Sequence, residues 1–203
     1  MKSLERLFFQ RPRILNQLHR LRMVDATTQT NEVEQDALAK YARGAAKALE
    51  IGSYQGASSV KIAKALAPDG YLICIDPWPE EGAKANPCRL IFARNLRRAG
   101  VRERVKVLCA FSRDVESELP ADLDFVFIDG DHSWEGIETD WNIVSPRMKQ
   151  GGIVCLHDTV IPAAESWRAF PSVDYYRQVI AKDELFERVE EVCSMTVLKR
   201  RQP

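Results

Sequence analysis

The chain has 203 residues, long enough to bury one core without metal or disulfide staples. Its 29 lysines and arginines balance 29 aspartates and glutamates, which speaks against a uniformly basic nucleic-acid binder and an acidic disordered chain. The zero conceals an asymmetry: Lys2, Arg6, Arg11, Arg13, Arg20 and Arg22 face only Glu5 within residues 1–24, a net +5 that leaves −5 on the rest.

Residues 11–24 place Ile14, Leu15, Leu18 and Leu21 on one helical stripe, with Pro12 at its start. Residues 25–32 are polar and predict a loop, and 33–43 predict a short helix with Val33, Ala37, Leu38 and Tyr41 on one side. The division expected is a basic helical arm over 1–32 and one domain over 33–203. From residue 46 short apolar runs alternate with amphipathic helices. Strands are predicted at 46–51, 71–75, 104–109, 124–128 and 153–157, and helices at 57–66, 86–99 and 134–149. Continuous apolar strands separated by helices indicate an α/β fold, a Rossmann-like doubly wound sheet that is mostly parallel and covered on both faces. Residues 162–182 predict a mostly helical, aromatic-rich insertion, and 185–200 an antiparallel C-terminal hairpin.

The five cysteines lack CxxC spacing. Cys74, Cys109 and Cys155 sit in apolar runs, where cysteine packs as a small hydrophobe. That predicts a reduced, cytoplasmic chain. No run approaches the length of a membrane span, and charges interrupt the N-terminal apolar residues, so neither a membrane segment nor a secretory leader is expected.

Four clusters at predicted strand ends carry the chemistry. Glu50 to Gly56 follow the first strand, where glycines permit a tight turn and the next helix offers free N–H groups to an anionic group. The spacing is GxxxG, short of the dinucleotide fingerprint, and a plain turn is the alternative. Asp76 directly follows the second strand and suits the two hydroxyls of a ribose, or begins a turn before Pro77. Asp129-Gly130-Asp131-His132 ends the fourth strand and His157-Asp158-Thr159 the fifth. Asp129 and Asp158 on adjacent strands can face one cleft and hold a magnesium ion, or each can cap the following helix.

With these motifs assembled, the chain resembles the class I S-adenosylmethionine-dependent methyltransferases over about residues 33–200. Within them it is similar to the small methyltransferases that carry EIGS–G–S, FIDGDH and GGxxxxHD motifs, and to the catechol O-methyltransferase-like enzymes. The motifs read EIGSYQGASS (50–59), FIDGDHSWEG (127–136) and GGIVCLHDT (151–159). The resemblance implies that Gly52, Ser53, Tyr54, Gly56 and Ser58 cradle the methionine part of S-adenosyl-L-methionine, with Glu50 steadying the loop. It implies that Asp76 holds the ribose and that Ala110, Phe111, Ser112 and Arg113 edge the adenine. Asp129 then lies beside the reacting methyl, Asp129 and Asp158 are the magnesium ligands, and Thr159 occupies the third ligand's place, a departure from the family's Asn or Asp. His132 stands where the catechol-type enzymes put a lysine and is the candidate base, with Asp129 beside it.

Trp134 and Trp167 are the candidate contacts to a planar small-molecule acceptor, and O-methylation is the expected reaction. His157 is expected to be structural, and His19 to face solvent or an interface. The arm is expected to join subunits of a homo-oligomer or to cap the site in preference to binding nucleic acid. A nucleic-acid or protein methyltransferase, a silent cofactor-binding partner domain and a nicotinamide oxidoreductase are the other readings.

Overall fold

The computed structural model describes residues 11–79, 85–161 and 170–202. Its centre is a seven-stranded sheet in the order β3-β2-β1-β4-β5-β7-β6. The strands are β1 (Lys47–Ile51), β2 (Tyr71–Ile75), β3 (Val105–Leu108), β4 (Leu123–Ile128), β5 (Met148–Leu156), β6 (Phe186–Val192) and β7 (Met195–Arg200). The first five run parallel, and β7 returns antiparallel beside β5 with β6 outside it. The chain starts in mid-sheet at β1, builds outward to β3, then crosses to the other side of β1 to form β4. In such a sheet ligands bind in the crevice at that reversal, outside the carboxyl ends of the strands.

Among the described residues six α-helices surround the sheet: α1 (Pro12–Arg20), α2 (Glu32–Tyr41), α3 (Ala57–Ala65), α4 (Pro87–Ala99), α5 (Trp134–Val144) and α6 (Pro171–Gln178). Successive strand side chains point to opposite faces, so each apolar strand feeds two cores. Phe125 and Phe127 pack with Leu38, Ile62, Phe92 and Leu96. Val126 and Ile128 pack on the other face with Trp141, Tyr175 and Tyr176. The apolar runs that predict the strands are thus apolar because both faces are covered.

The helix expected over 134–149 stops at Val144, and a 3-10 turn, Ser145–Arg147, leads into β5 at Met148. Pro146 cannot donate to a continuing helix. Gly151 and Gly152 therefore lie inside β5, where the β4–β5 register shifts and a Cβ on Gly152 would meet the Leu123 carbonyl oxygen at 2.8 Å. Cys109 is exposed because β3 ends at Leu108, while Cys74 and Cys155 are buried as expected. None of the five cysteines forms a disulfide among the described residues. Val33 faces solvent, and Glu34 is buried on α2 in its place.

Residues 11–24 lie against their own chain. Leu15 and Val24 pack on Ile91 of α4. His19 is buried rather than solvent-facing, because α4 covers it. Its Nδ1 lies 3.1 Å from Arg94 Nη1, and burial together with Arg98 and Arg94 lowers its pKa to about 4. No helix among the described residues is long and apolar enough to cross a membrane.

Candidate active site

The register brings five strand ends to one level. Ile51 pairs with both Ile75 and Ile128, Ile75 with Leu108, and Ile128 with Leu156. The next residues along the chain are Gly52, Asp76, Cys109, Asp129 and His157. Four of them extend the ladder by backbone bonds: Gly52 N–H to Ile75 O (2.9 Å), Asp76 N–H to Leu108 O (3.2 Å), Asp129 N–H to Ile51 O (2.8 Å) and His157 N–H to Ile128 O (2.9 Å). Apolar register thus fixes where the polar groups emerge. Gly52, Asp76 and Asp129 among them line a cavity of about 510 Å³.

Gly52, Ser53, Tyr54, Gly56 and Ser58 line one wall of this cavity. Gly52 has φ +88°, and a Cβ there would sit 1.9 Å from the Asp129 carbonyl oxygen. Only glycine lets the β1 and β4 loops approach this closely. Gly56, also left-handed at φ +80°, starts α3 without a side-chain cap, so the first N–H groups of that helix are left for the cavity. Glu50 lies beneath the loop and does not line the cavity. Its Oε2 accepts from Ser53 Oγ (2.8 Å), from Ser59 Oγ and from Cys74 Sγ (3.3 Å), while Oε1 is buried without a partner. Burial raises its pKa, against these hydroxyl bonds.

Asp76 lines the next wall. Its Oδ2 accepts from Tyr54 N–H (2.8 Å) and its Oδ1 from Trp78 N–H (2.9 Å). Each carboxylate oxygen keeps a second lone pair for a ligand hydroxyl. Ala110, Phe111, Ser112 and Arg113 follow β3 and line the same cavity. The Arg113 guanidinium stacks 4.4 Å from the centre of the Phe111 ring.

The opposite wall holds Asp129 and His132. His132 Nε2 lies 3.3 Å from Asp158 Oδ2 and 3.8 Å from Asp129 Oδ1. His132 also packs edge-on to Phe170, with ring centres 5.6 Å apart. Asp158 is buried behind His132 in a left-handed backbone conformation, φ +49°. Burial raises the Asp158 pKa, but His132 and His157 outweigh that and hold it below its usual value.

His157, expected to be structural, and two acids with no functional motif around them, Glu34 and Asp140, complete the arrangement. Buried His157 places Nδ1 2.8 Å from Asp129 Oδ1 and Nε2 3.6 Å from Glu34 Oε2. The Nδ1 contact is close enough for a hydrogen bond but poorly directed for one, so we read it as an ion pair. Burial works against a charged imidazole, yet the carboxylates of Asp129 and Glu34 raise its pKa to about 10. Glu34 itself is fixed twice: it closes a capping box with Asn31, and its Oε1 accepts from Ser194 N–H and Oγ–H. The sequence Asn31-x-x-Glu34 carries the capping signal, but nothing local marks Glu34 as a neighbour of β5. Asp140 of α5 is the third residue. It lines the cavity, accepts from Ser112 Oγ at 2.5 Å, and burial pushes its pKa up to about 6. Residues 27–29 also line the cavity, anchored by Thr27 N–H donating to Gln55 Oε1 (2.8 Å).

Ligand atoms of Asp129, His132 and His157 lie within 4.8 Å of one another, a group able to hold a metal ion. Asp158 stands beside this group, but Thr159 turns away: its Oγ1 donates to Leu156 O (2.9 Å) and pairs with Thr196 Oγ1 (2.8 Å). Two imidazoles and a carboxylate suit a transition metal better than magnesium, which prefers oxygen ligands. Trp134 does not line the cavity; it packs edge-on against Tyr175, ring centres 5.0 Å apart. Trp167 lies outside the described residues.

Residues 49–159 match the family model described as "Methyltransferase domain". A catechol O-methyltransferase of Mycobacterium tuberculosis is 31% identical over 118 residues, 58% of this chain and 49% of the relative. The match thus spans about half the length of that curated relative. Among solved structures, cofactor-bound Rv0187 from MTB superposes with a TM-score of 0.73 at 20% identity, over 95% of this chain and 90% of the other. The O-methyltransferase TomG from Streptomyces achromogenes, in complex with SAM, reaches 0.67 at 20% identity over 100% of both chains. An O-methyltransferase from Bacillus cereus, in complex with SAH, reaches 0.66 at 18% identity over 95% and 90%. The family match runs from the third residue of β1 to just past Asp158 and takes in every strand-end cluster that walls the cavity; the chain belongs to the methyltransferase domain family, with the Rossmann-like fold of the class I S-adenosylmethionine-dependent enzymes.

Proposed function

We propose that the chain transfers the methyl group of S-adenosyl-L-methionine to an oxygen of a small molecule. The observation that carries this reading is the pairing at the cavity wall of His132 with Asp158, Nε2 to Oδ2 at 3.3 Å. The cofactor supplies an electrophilic methyl group on a sulfonium; the protein must bind it, orient the acceptor and take one proton. Gly52, Ser53, Tyr54, Gly56 and Ser58 would cradle the methionine part, Asp76 the ribose, and the 110–113 segment the base. Glu50 would hold the first of these loops from below through Ser53 and Ser59.

With its Nε2 proton facing Asp158, His132 presents Nδ1 as the free base. The acceptor hydroxyl would pass its proton to that nitrogen as it takes up the methyl group that the bound cofactor would supply. Asp158 and Asp129 then stabilise the imidazolium. A cavity of about 510 Å³ that must also hold the cofactor leaves room for a small acceptor only.

A second reading rests on the cluster of Asp129, His132 and His157. Those residues would hold a divalent cation, with Asp158 beside them, and the cation would lower the hydroxyl pKa and orient it. Chelation followed by separate addition of magnesium, manganese and zinc distinguishes the two: activity that persists without metal supports the His132 base. His132→Ala, assayed for S-adenosylhomocysteine release across catechols and phenols, should lose about 100-fold in rate with cofactor binding intact. Unchanged turnover removes His132 from the mechanism. The proposal also takes residues 1–32 as an arm through which copies associate, supported by the exposed Ile14, Leu21 and Met23; light scattering of the full chain reads the assembly directly.

A further inference from the structure

We propose that Asp140 reads the base of the cofactor, its free carboxyl oxygen pairing with the exocyclic amine of adenine and thereby selecting adenine over hypoxanthine. The inference rests on the cofactor assignment above and names a residue for which the sequence carries no motif. Cofactor placement follows from the fold. The methionine end belongs to the Gly52–Ser58 loop and the ribose to Asp76, so the base must lie farther along the cavity, toward the loop after β3. That loop offers Ala110, Phe111, Ser112 and Arg113, with neither a carboxylate nor a side-chain amide. An amine on the base needs an acceptor, and Asp140 supplies one from α5 across the cavity.

Its geometry fits that task. Asp140 Oδ1 accepts from Ser112 Oγ at 2.5 Å, which fixes the carboxyl plane and ties α5 to the β3 loop. Oδ2 makes no hydrogen bond to a described residue, yet it is not among the fully buried unpartnered atoms. It therefore reaches open space, and the space that Asp140 lines is the cavity. Gly130 leaves room for it: a Cβ at that position would stand 2.9 Å from Asp140 Oδ2. A carboxyl oxygen held from behind by a serine and kept clear in front by a glycine is pre-organised for one partner. When protonated, the same group can also donate to the neighbouring ring nitrogen.

The test is calorimetric titration with S-adenosylhomocysteine and S-inosylhomocysteine, which differ at this edge of the base: a donor amine in one, an acceptor oxygen in the other. The wild-type protein should prefer the adenine ligand by at least about tenfold, since the wrong base leaves a buried acceptor facing an acceptor. Asp140→Asn keeps the shape and can keep the Ser112 bond with its carbonyl oxygen, turning its NH₂ toward the ligand. It should narrow the preference at least about tenfold or reverse it. Ser112→Ala should weaken the discrimination less. Equal affinity of the wild type for both ligands overturns the proposal without any variant, as does an unchanged ratio in a folded Asp140→Asn. Failure to bind either ligand would instead overturn the cofactor assignment itself.

Discussion

His157 Nδ1 and Asp129 Oδ1 stand 2.8 Å apart at the ends of neighbouring strands, and the other ring nitrogen of His157 faces Glu34 on α2 at 3.6 Å. One buried imidazolium thereby joins the sheet, the cavity wall and a helix from the N-terminal region. Asp129 is held where it lines the cavity without a local cap, and Glu34 is kept charged: burial raises its pKa, but the nearby His157 ring and the hydrogen bonds from Asn31 and Ser194 bring it below its ordinary value.

Removing this ring strands buried carboxylates. His157→Gln should cost about 3–5 kcal/mol of stability, the usual scale for breaking a buried pair from one side. Urea unfolding at neutral pH with chelator present measures it. A loss below about 1 kcal/mol would mean that water replaces the ring and that the link carries little. Glu34→Gln, which keeps hydrogen bonding, should cost less.

Asp140 gives a pH signature of the free protein. Its folded pKa, about 6, exceeds the value of 3.8 expected of an open carboxyl. A raised carboxyl favours the folded state below its unfolded pKa, and that contribution is lost as pH rises through the folded one. Asp140→Asn should therefore be more stable than wild type at pH 8, by about 1–3 kcal/mol, and lose that advantage near pH 4. Melting curves at the two pH values check the sign; a pH-independent difference would place the carboxyl in solvent.

Gly52→Ala tests the close approach of two loops. The methyl would sit 1.9 Å from the Asp129 carbonyl oxygen, at a φ of +88° that side chains disfavour. The loop or the strand end must shift, so affinity for S-adenosylhomocysteine should fall at least about tenfold and stability by about 1–3 kcal/mol. Gly44→Ala is the control: its φ is +74° with nothing within 4 Å of the new methyl, so it should cost stability without weakening the cofactor.

The sheet and the residues at its strand ends are legible in the sequence because burial on both faces makes β2 and β4 nearly all apolar and leaves only Lys47 and Glu50 polar in β1, and each run stops at Gly52, Asp76 or Asp129. Glu34 and Asp140 are not legible in the same way. Each lies on an amphipathic helix, where a single acid reads as a solvated position, and each is buried because of what it meets across the fold: Ser194 and His157 in one case, Ser112 in the other. Apolarity alone assigns Val33 to the buried side of α2, but Glu34, Ala37, Leu38 and Tyr41 share one 3.6-residue stripe, so Glu34 points inward and Val33 faces solvent. His19 misleads for a related reason, since only the packing of α1 on α4 encloses it.

The cavity between the β1, β2 and β4 ends takes an S-adenosyl cofactor. Calorimetry of the full chain with S-adenosylhomocysteine, and with NAD in parallel, tests it most directly. The expected result is one saturable site for S-adenosylhomocysteine, weakened at least about tenfold by Asp76→Ala, and no binding of NAD. Absence of S-adenosylhomocysteine binding to the folded protein, or preferential binding of NAD, would contradict it.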